Sequence, residues 1–181
     1  MEVTQTLTVT DRGQWRQWLQ DNHATANHIW LIFYGRSGSP QSIAYRDAVE
    51  EALCFGWIDG IVKKLDDERT AQRFSPRRPR SNWTELNKDR ARRLIAAGLM
   101  TEAGFAALPD LTPRELRIAP DILAALQADP QTWAHFEAFP DLYKRIRIDH
   151  IEDVRDQPEL FQKRLAKFVD KTRHNKTFGV M

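Results

Sequence analysis

Two kinds of apolar pattern divide this chain. Over the first eighty positions, short alternating or continuous apolar runs are separated by helical patterns. "QTLTVTD" alternates polar and apolar residues and predicts a first strand. Asp11 and Gln14 have the spacing of a capping box, opening a helix that buries Trp15, Trp18 and Leu19. "HIWLIFYG" (28–35) is apolar, β-branched and aromatic, which predicts a central strand. In "SIAYRDAVEEALCFG", Tyr45, Ala48, Val49, Ala52, Leu53 and Phe55 return at helical intervals, with Gly56 placed to stop the helix. "WIDGIVKKL" and "TAQRFS" flank the polar "DDER" and predict a β-hairpin. The order is β-α-β-α-β-β, which suits a small mixed or antiparallel sheet with helices on one face.

Beyond residue 80 the pattern is helical throughout. Asn82 and Glu85 repeat the capping-box spacing ahead of "WTELNKDRARRLIAAG", which Gly98 closes. "TEAGFAAL", "PDILAALQAD", "PQTWAHFEAF", "PDLYKRIRIDHIEDV" and "PELFQKRLAKFVDKTR" follow, and Pro120, Pro130, Pro140 and Pro158 each stand where a first turn begins. Trp133, Phe136, Phe139, Tyr143, Phe161 and Phe168 recur at three- and four-residue intervals, the mark of core packing. The expected fold class is α+β. Residues 1–80 form an N-terminal α+β unit with the sheet, and an all-helical half over 81–181 packs on it as one compact domain.

Composition narrows the possibilities. An apolar fraction of 41% and a charged fraction of 29% are those of a globular protein, and 10% aromatic residues argue against disorder. The single cysteine, Cys54, excludes an internal disulfide framework. The opening "MEVTQTLTVTDRGQW" is polar, and no apolar run approaches the roughly 20 residues a membrane helix needs. A cytoplasmic protein without membrane insertion is expected. The net charge of +2 is unevenly spread: residues 69–93 carry +7, which leaves −5 for the remainder. An anionic partner is therefore expected at that basic tract.

Within the tract, "RFSPRRPRSNW" (73–83) places four arginines, two prolines and two aromatic residues in eleven positions. Pro76 and Pro79 forbid a regular helix and stiffen the segment. Guanidinium groups fit phosphate and carboxylate and stack on rings. One reading is an anion site formed by Arg73, Arg77, Arg78 and Arg80, with Trp83 as a stacking face. The other is that these arginines pair with Asp59, Glu50, Glu51, Asp66 or Asp67 and fix the loop to the sheet. Strand alternation puts Trp57 and Asp59 on one face, where they form a pocket wall or, alternatively, core and turn. Lys63 on the hairpin and Asn87 on the next helix complete the candidate set.

Other chemistry is thin. Cys54 lies between apolar helix residues and is expected to be buried and unreactive. The histidines at 23, 28, 135, 150 and 174 have no metal-ligand spacing, so neither metal nor cofactor is expected. Glu50 and Glu51 are adjacent, point to different sectors of their helix and cannot act as one acid–base pair. "GRSGSP" reads as a surface turn rather than a phosphate cradle.

The run from Tyr45 to Gly104 resembles the YdeI/OmpD-associated family, whose members are also described as bacteriocin-protection proteins. The resemblance rests on "EALCFGWIDG", "RFSPRRP" with the following Ser and Trp, and the helix ending "GLMTEAG". "HIEDVRDQPELFQKRLAKFVDKTR" offers the family's closing helix in degenerate form. The resemblance implies envelope stress and tolerance of bacteriocins or cationic peptides, and it supplies no reaction. The leading expectation is a non-enzymatic protective protein that binds an anionic small molecule or a protein partner through the 73–83 loop. A nucleic-acid-binding module is one alternative, since basic loops with interleaved aromatics suit phosphates and stacked bases. An enzyme with Asp59 as base and Arg77 or Arg78 holding an anionic substrate is another.

Overall fold

The computed structural model describes residues 2–35, 42–112 and 115–179. The chain divides into two units: residues 1–82 with 89–111, and residues 83–88 with 112–181. The sheet lies wholly in the first unit and the larger helical cluster in the second. Residues 89–111, which the sequence groups with the helical half, belong to the sheet-bearing unit.

The first unit contains β1 (Thr6–Leu7), α1 (Arg12–Asn22), β2 (Ile29–Tyr34), α2 (Tyr45–Cys54), β3 (Trp57–Lys64) and β4 (Arg69–Pro76). This is the expected order. The strands form a mixed sheet, β1-β2-β4-β3, in which β1 runs parallel to β2 and the other neighbours are antiparallel. The central position of β2 explains its unbroken burial from Ile29 to Ile32. The first strand is much shorter than "QTLTVTD" suggests. Val9, itself buried, turns its carbonyl to the amide of Ile43 (2.9 Å) and so leaves the ladder early.

Helix α1 is capped as its sequence predicts, the Gln14 amide donating to the Asp11 carboxylate at 3.0 Å. The Gln14 side chain reaches back to the amide of Thr10. Trp15 and Leu19 are fully buried and Trp18 is partly so. Trp15 stacks on Trp18 and meets Phe74 edge-on, and its indole donates to the carbonyl of Ala48. One aromatic residue thus ties α1 to both the sheet and α2.

Every residue of α2 from Ala48 to Cys54 is buried, the two glutamates included. Gly56 ends this helix at φ +72°, and a Cβ there would stand 2.8 Å from the carbonyl oxygen of Ala103. That approach is made by the start of α4 (Glu102–Ala106), where Thr101 donates from its amide and its hydroxyl to the carbonyl of Cys54. The β3–β4 hairpin turns through Asp66, whose carboxylate accepts from the amides of Glu68 and Arg69. Its register shifts between Asp59 and Val62, leaving one extra residue on β3, and the Gln72 side chain donates to the Gly60 carbonyl across the bulge.

Helix α3 (Glu85–Ala96) has its first residues in the second unit and the remainder in the first. Its cap is Thr84 rather than Asn82: the hydroxyl of Thr84 accepts from the Asn87 amide, and Asp149 accepts from the amide of Glu85. One acceptor two positions nearer the helix and one from Asp149 satisfy orphan donors of its first turn.

The second unit holds α5 (Pro120–Gln127), α6 (Pro130–Ala138), α7 (Asp141–Glu152) and α8 (Pro158–Arg173). Proline occupies the first turn of α5, α6 and α8, while Pro140 serves as the cap of α7. Ile122, Leu126, Phe136, Phe139, Tyr143, Ile151, Phe161 and Phe168 share one core. The predicted aromatic stripe is therefore core, Trp133 packing at its margin. No strand follows residue 100 among the described residues.

Candidate functional site

The buried glutamates of α2 organise the charge of the first unit. Glu50 is 4% exposed and accepts from Arg12, Arg46 and Arg93 at 3.1 to 3.4 Å. Glu51, 3% exposed, accepts from Arg12 and Arg16 at 2.8 Å. Burial alone would raise the Glu50 carboxyl; the hydrogen bonds and charges of Arg46 and Arg12 outweigh it and hold the pKa below the ordinary carboxylate range. Adjacent though they are, the two carboxylates share one partner, the guanidinium of Arg12. None of the loop arginines 73, 77, 78 and 80 takes part in these ion pairs. Of the signals for this lattice, only the i,i+4 spacing of Arg46 and Glu50 is visible in the sequence.

Asp59 has a different setting. It lies at the beginning of the β3 bulge, half-buried, and the Tyr45 hydroxyl donates to its carboxylate at 2.5 Å. Partial burial and the hydrogen bond to Asp59 push the Tyr45 pKa up, although the residue is 44% exposed. The charges of Arg77 and Arg90 act on this pair. Arg77 is itself half-buried. Desolvation pulls its pKa down to about 10, against the opposing pull of Asp59, so it stays charged at neutral pH. The charges of Asp59 and Arg77 therefore act on one another, and Tyr45 is a further member that the sequence did not single out.

The basic loop divides its arginines. The Arg77 amide extends the sheet by donating to the Gly56 carbonyl (2.9 Å), and its guanidinium donates to the Ser81 hydroxyl and the Asn82 carbonyl, both at 3.1 Å. Arg73 lies on β4 and donates to the Ser75 hydroxyl. A turn closed from the Ser81 amide to the Arg78 carbonyl holds Arg80 at φ +60°. Arg78 and Arg80 are exposed, and among the described residues their side chains form no hydrogen bond or ion pair. The acids offered as loop partners are engaged elsewhere: Asp66 with Arg69, Asp67 with Lys64. Asp59 acts on the loop through the charge of Arg77.

The remaining candidates scatter. Trp57 is core: its indole donates to the His23 carbonyl and its ring meets Trp18 edge-on. Lys63 stands half-buried opposite Ala71 on the hairpin. Trp83 is only 7% exposed, so it presents no open ring for stacking. Trp83 and Asn87 belong to the second unit, whereas the other seven candidates belong to the first. Cys54 is fully buried, and burial, followed by the charge of Glu51, pushes its thiol up to about 11, the setting of an inert structural cysteine. "GRSGSP" beyond Gly35 lies outside the described residues. Among the described residues, no three metal-ligating side chains converge, and no helix is long and apolar enough to cross a membrane.

Comparison with known proteins follows the same division. No curated protein and no solved structure matches the chain. Two family models do. The first, described as "Domain of unknown function (DUF8412)", covers residues 7–107, including the whole stretch from Tyr45 to Gly104 that carries the sequence resemblance. The second, "Bacteriocin-protection, YdeI or OmpD-Associated", covers residues 115–175. The bacteriocin-protection match thus falls on the C-terminal helices, where the sequence shows only a degenerate closing helix, rather than on the arginine loop. Over residues 7–107 the chain belongs to the DUF8412 family, and over residues 115–175 it carries the bacteriocin-protection, YdeI or OmpD-associated domain.

Proposed function

We propose that this protein protects by binding rather than by catalysis, and that the Arg78–Arg80 turn of its first unit takes the anionic group of a small molecule or of a partner protein. The bacteriocin-protection domain at 115–175 supports the protective class. The observation that carries the binding site is the division of labour in the loop. Arg77, Pro76 and Pro79 fix the backbone from within, and Arg78 and Arg80 project from it exposed and without an acidic partner among the described residues. A fixed backbone lowers the ordering entropy lost on binding. Exposed guanidiniums bind weakly and with strong salt dependence, so dissociation constants between about 10 μM and 1 mM are expected, corresponding to roughly 4–7 kcal/mol.

Titration calorimetry with inorganic phosphate and with a short poly-glutamate peptide tests this at low and moderate salt. Arg78→Ala/Arg80→Ala should lose binding to whichever probe the wild type takes, with its unfolding midpoint unchanged. Binding that survives in the double variant places the site elsewhere. Burial of Trp83 removes the stacking face on which a nucleic-acid reading relied, and the same titration with single-stranded DNA should give nothing beyond salt-sensitive phosphate contact.

A further inference from the structure

The second unit holds a largely buried arginine that no carboxylate answers among the described residues. Arg147, on α7, is 8% exposed. Its guanidinium carbon lies 5.7 Å from the ring centre of Tyr143 and 5.1 Å from that of Phe178. Its Nε is buried without a hydrogen-bond partner, and no ion pair reaches the side chain among the described residues. The backbone of Gly179, at φ +81°, presses so close that a Cβ there would stand 2.6 Å from an Nη of Arg147. Taking a charge wholly out of water without a partner costs several kcal/mol even after relaxation, and the burial of Nε exacts part of that cost here. Stacking on two rings returns only part of this, about 0.5–2 kcal/mol per contact. As a structural element alone, Arg147 is a poor choice.

Arg147 also lines a partly open cavity of about 180 Å³ bordered by α7, α8 and Phe178. The charged or titratable residues around this cavity are Arg147, His150, Lys163, Arg164 and Lys167, and no acid is among them. Its other lining residues are apolar, Phe168 and Phe178 included. The rim is held in place: Arg164 donates to the carbonyl of His150 at 2.5 Å, and the ammonium of Lys167 lies 5.1 Å from the Phe178 ring centre. Arg164 and Arg147 oppose protonation of His150, adding to the effect of its burial.

The size and lining define an occupant. An apolar cavity of about 150 Å³ holds benzene. One slightly larger, with an apolar floor and a cationic rim, suits a body of that size carrying one carboxylate. A bare inorganic anion would leave the floor unfilled, and a neutral ring would leave Arg147 unanswered. We propose that the cavity between α7 and α8 binds a small free carboxylate with an aromatic or branched apolar body, its charge meeting Arg147 and its body resting on Phe168 and Phe178. The site is separate from the Arg78–Arg80 turn and does not depend on it.

Titration calorimetry of the full chain with phenylacetate, benzyl alcohol and inorganic phosphate tests the assignment. Phenylacetate should bind saturably at one site, and the other two should not. Arg147→Met keeps the buried volume and removes the charge; it should weaken phenylacetate binding at least about tenfold, the scale of one charge-assisted hydrogen bond. Lys163→Gln/Lys167→Gln changes only exposed positions of α8 and should weaken binding a few-fold, which keeps the test decisive if Arg147→Met fails to fold. Arg78→Ala/Arg80→Ala should bind phenylacetate like the wild type. No saturable binding by the wild type, equal binding of phosphate or benzyl alcohol, or full affinity in both the Arg147 and the lysine variants overturns the proposal.

Discussion

Each unit buries charge, and the two do so in opposite ways. In the first, Glu50 and Glu51 lie inside α2, and Arg12, Arg16, Arg46 and Arg93 converge on them, so every buried carboxylate has at least two guanidinium partners. In the second, Arg147 is buried to nearly the same degree and meets aromatic faces where a carboxylate would be expected. Compensated buried charge is a structural device: removing one member strands the others. A buried charge without a carboxylate partner among the described residues can take one from solution, which is the basis of the carboxylate site proposed beside Arg147. The difference separates an arginine lattice that ties one unit together from an arginine whose neighbours are rings and a cavity.

The largest expected effect lies in the lattice. Glu51→Ala removes the shared acceptor of Arg12 and Arg16. Breaking a buried pair costs about 3–5 kcal/mol, and because both arginines keep about a third of their surface in water the cost here should be nearer 2–4 kcal/mol. A urea titration followed by tryptophan fluorescence, to which Trp15, Trp18, Trp30 and Trp57 of the first unit contribute, reads it. A loss below about 0.5 kcal/mol, the range of ordinary surface substitutions, would show that the lattice is ornamental and erase the contrast.

Arg147→Met should move stability the other way. Exchanging a largely buried charge for an apolar side chain of similar length should raise the unfolding free energy read by urea titration by about 1 kcal/mol once the lost ring contacts are deducted. A clear loss of stability would mean that Arg147 has a structural partner after all.

Acid sharpens the comparison. Burial raises the Asp149 carboxyl above its ordinary range, and the hydrogen bond from the Glu85 amide only moderates this. A raised carboxyl favours the protonated folded state, so its ionisation weakens folding at neutral pH, and that penalty fades as pH falls through the folded pKa toward about 3.9. Glu50, whose pKa is held down, behaves oppositely: its contribution is complete above the unfolded value and is lost as pH falls through the lower folded one. Asp149→Asn should therefore be at least as stable as the wild type at pH 7, and thermal melts between pH 7 and 4 should show that advantage shrinking to nothing. An advantage that stays constant across the range would rule out the buried carboxyl as its source.

The smallest effect belongs to the loop. Arg78→Ala/Arg80→Ala should leave both units within about 0.5 kcal/mol of the wild type, as expected of exposed side chains without partners. A larger loss would move these two residues from the binding surface to the framework.

Local chemistry made much of the molecule readable in advance. The Asp11 cap, the Gly56 stop, the prolines opening α5, α6 and α8, and the β3–β4 hairpin each depend on residues within a few positions of one another, so their spacing carries the information. The same holds for the aromatic stripe of the second unit, where three- and four-residue intervals put Phe136, Phe139 and Tyr143 on core faces. The early end of β1 was hidden because Val9 pairs with Ile43, far away in sequence. The charge network was hidden for the same reason. Arg12 precedes Glu50 and Glu51 by nearly forty positions, Arg93 follows Glu50 by more than forty, and nothing in the basic run 73–80 distinguishes an arginine tied down from one left exposed. Sequence alone determined which segments are strands and helices and where positive charge accumulates, because propensity, capping and composition act locally. Only the tertiary structure decided which charges cancel: ion pairing depends on distance and desolvation, and both are set by the fold that brings distant residues together.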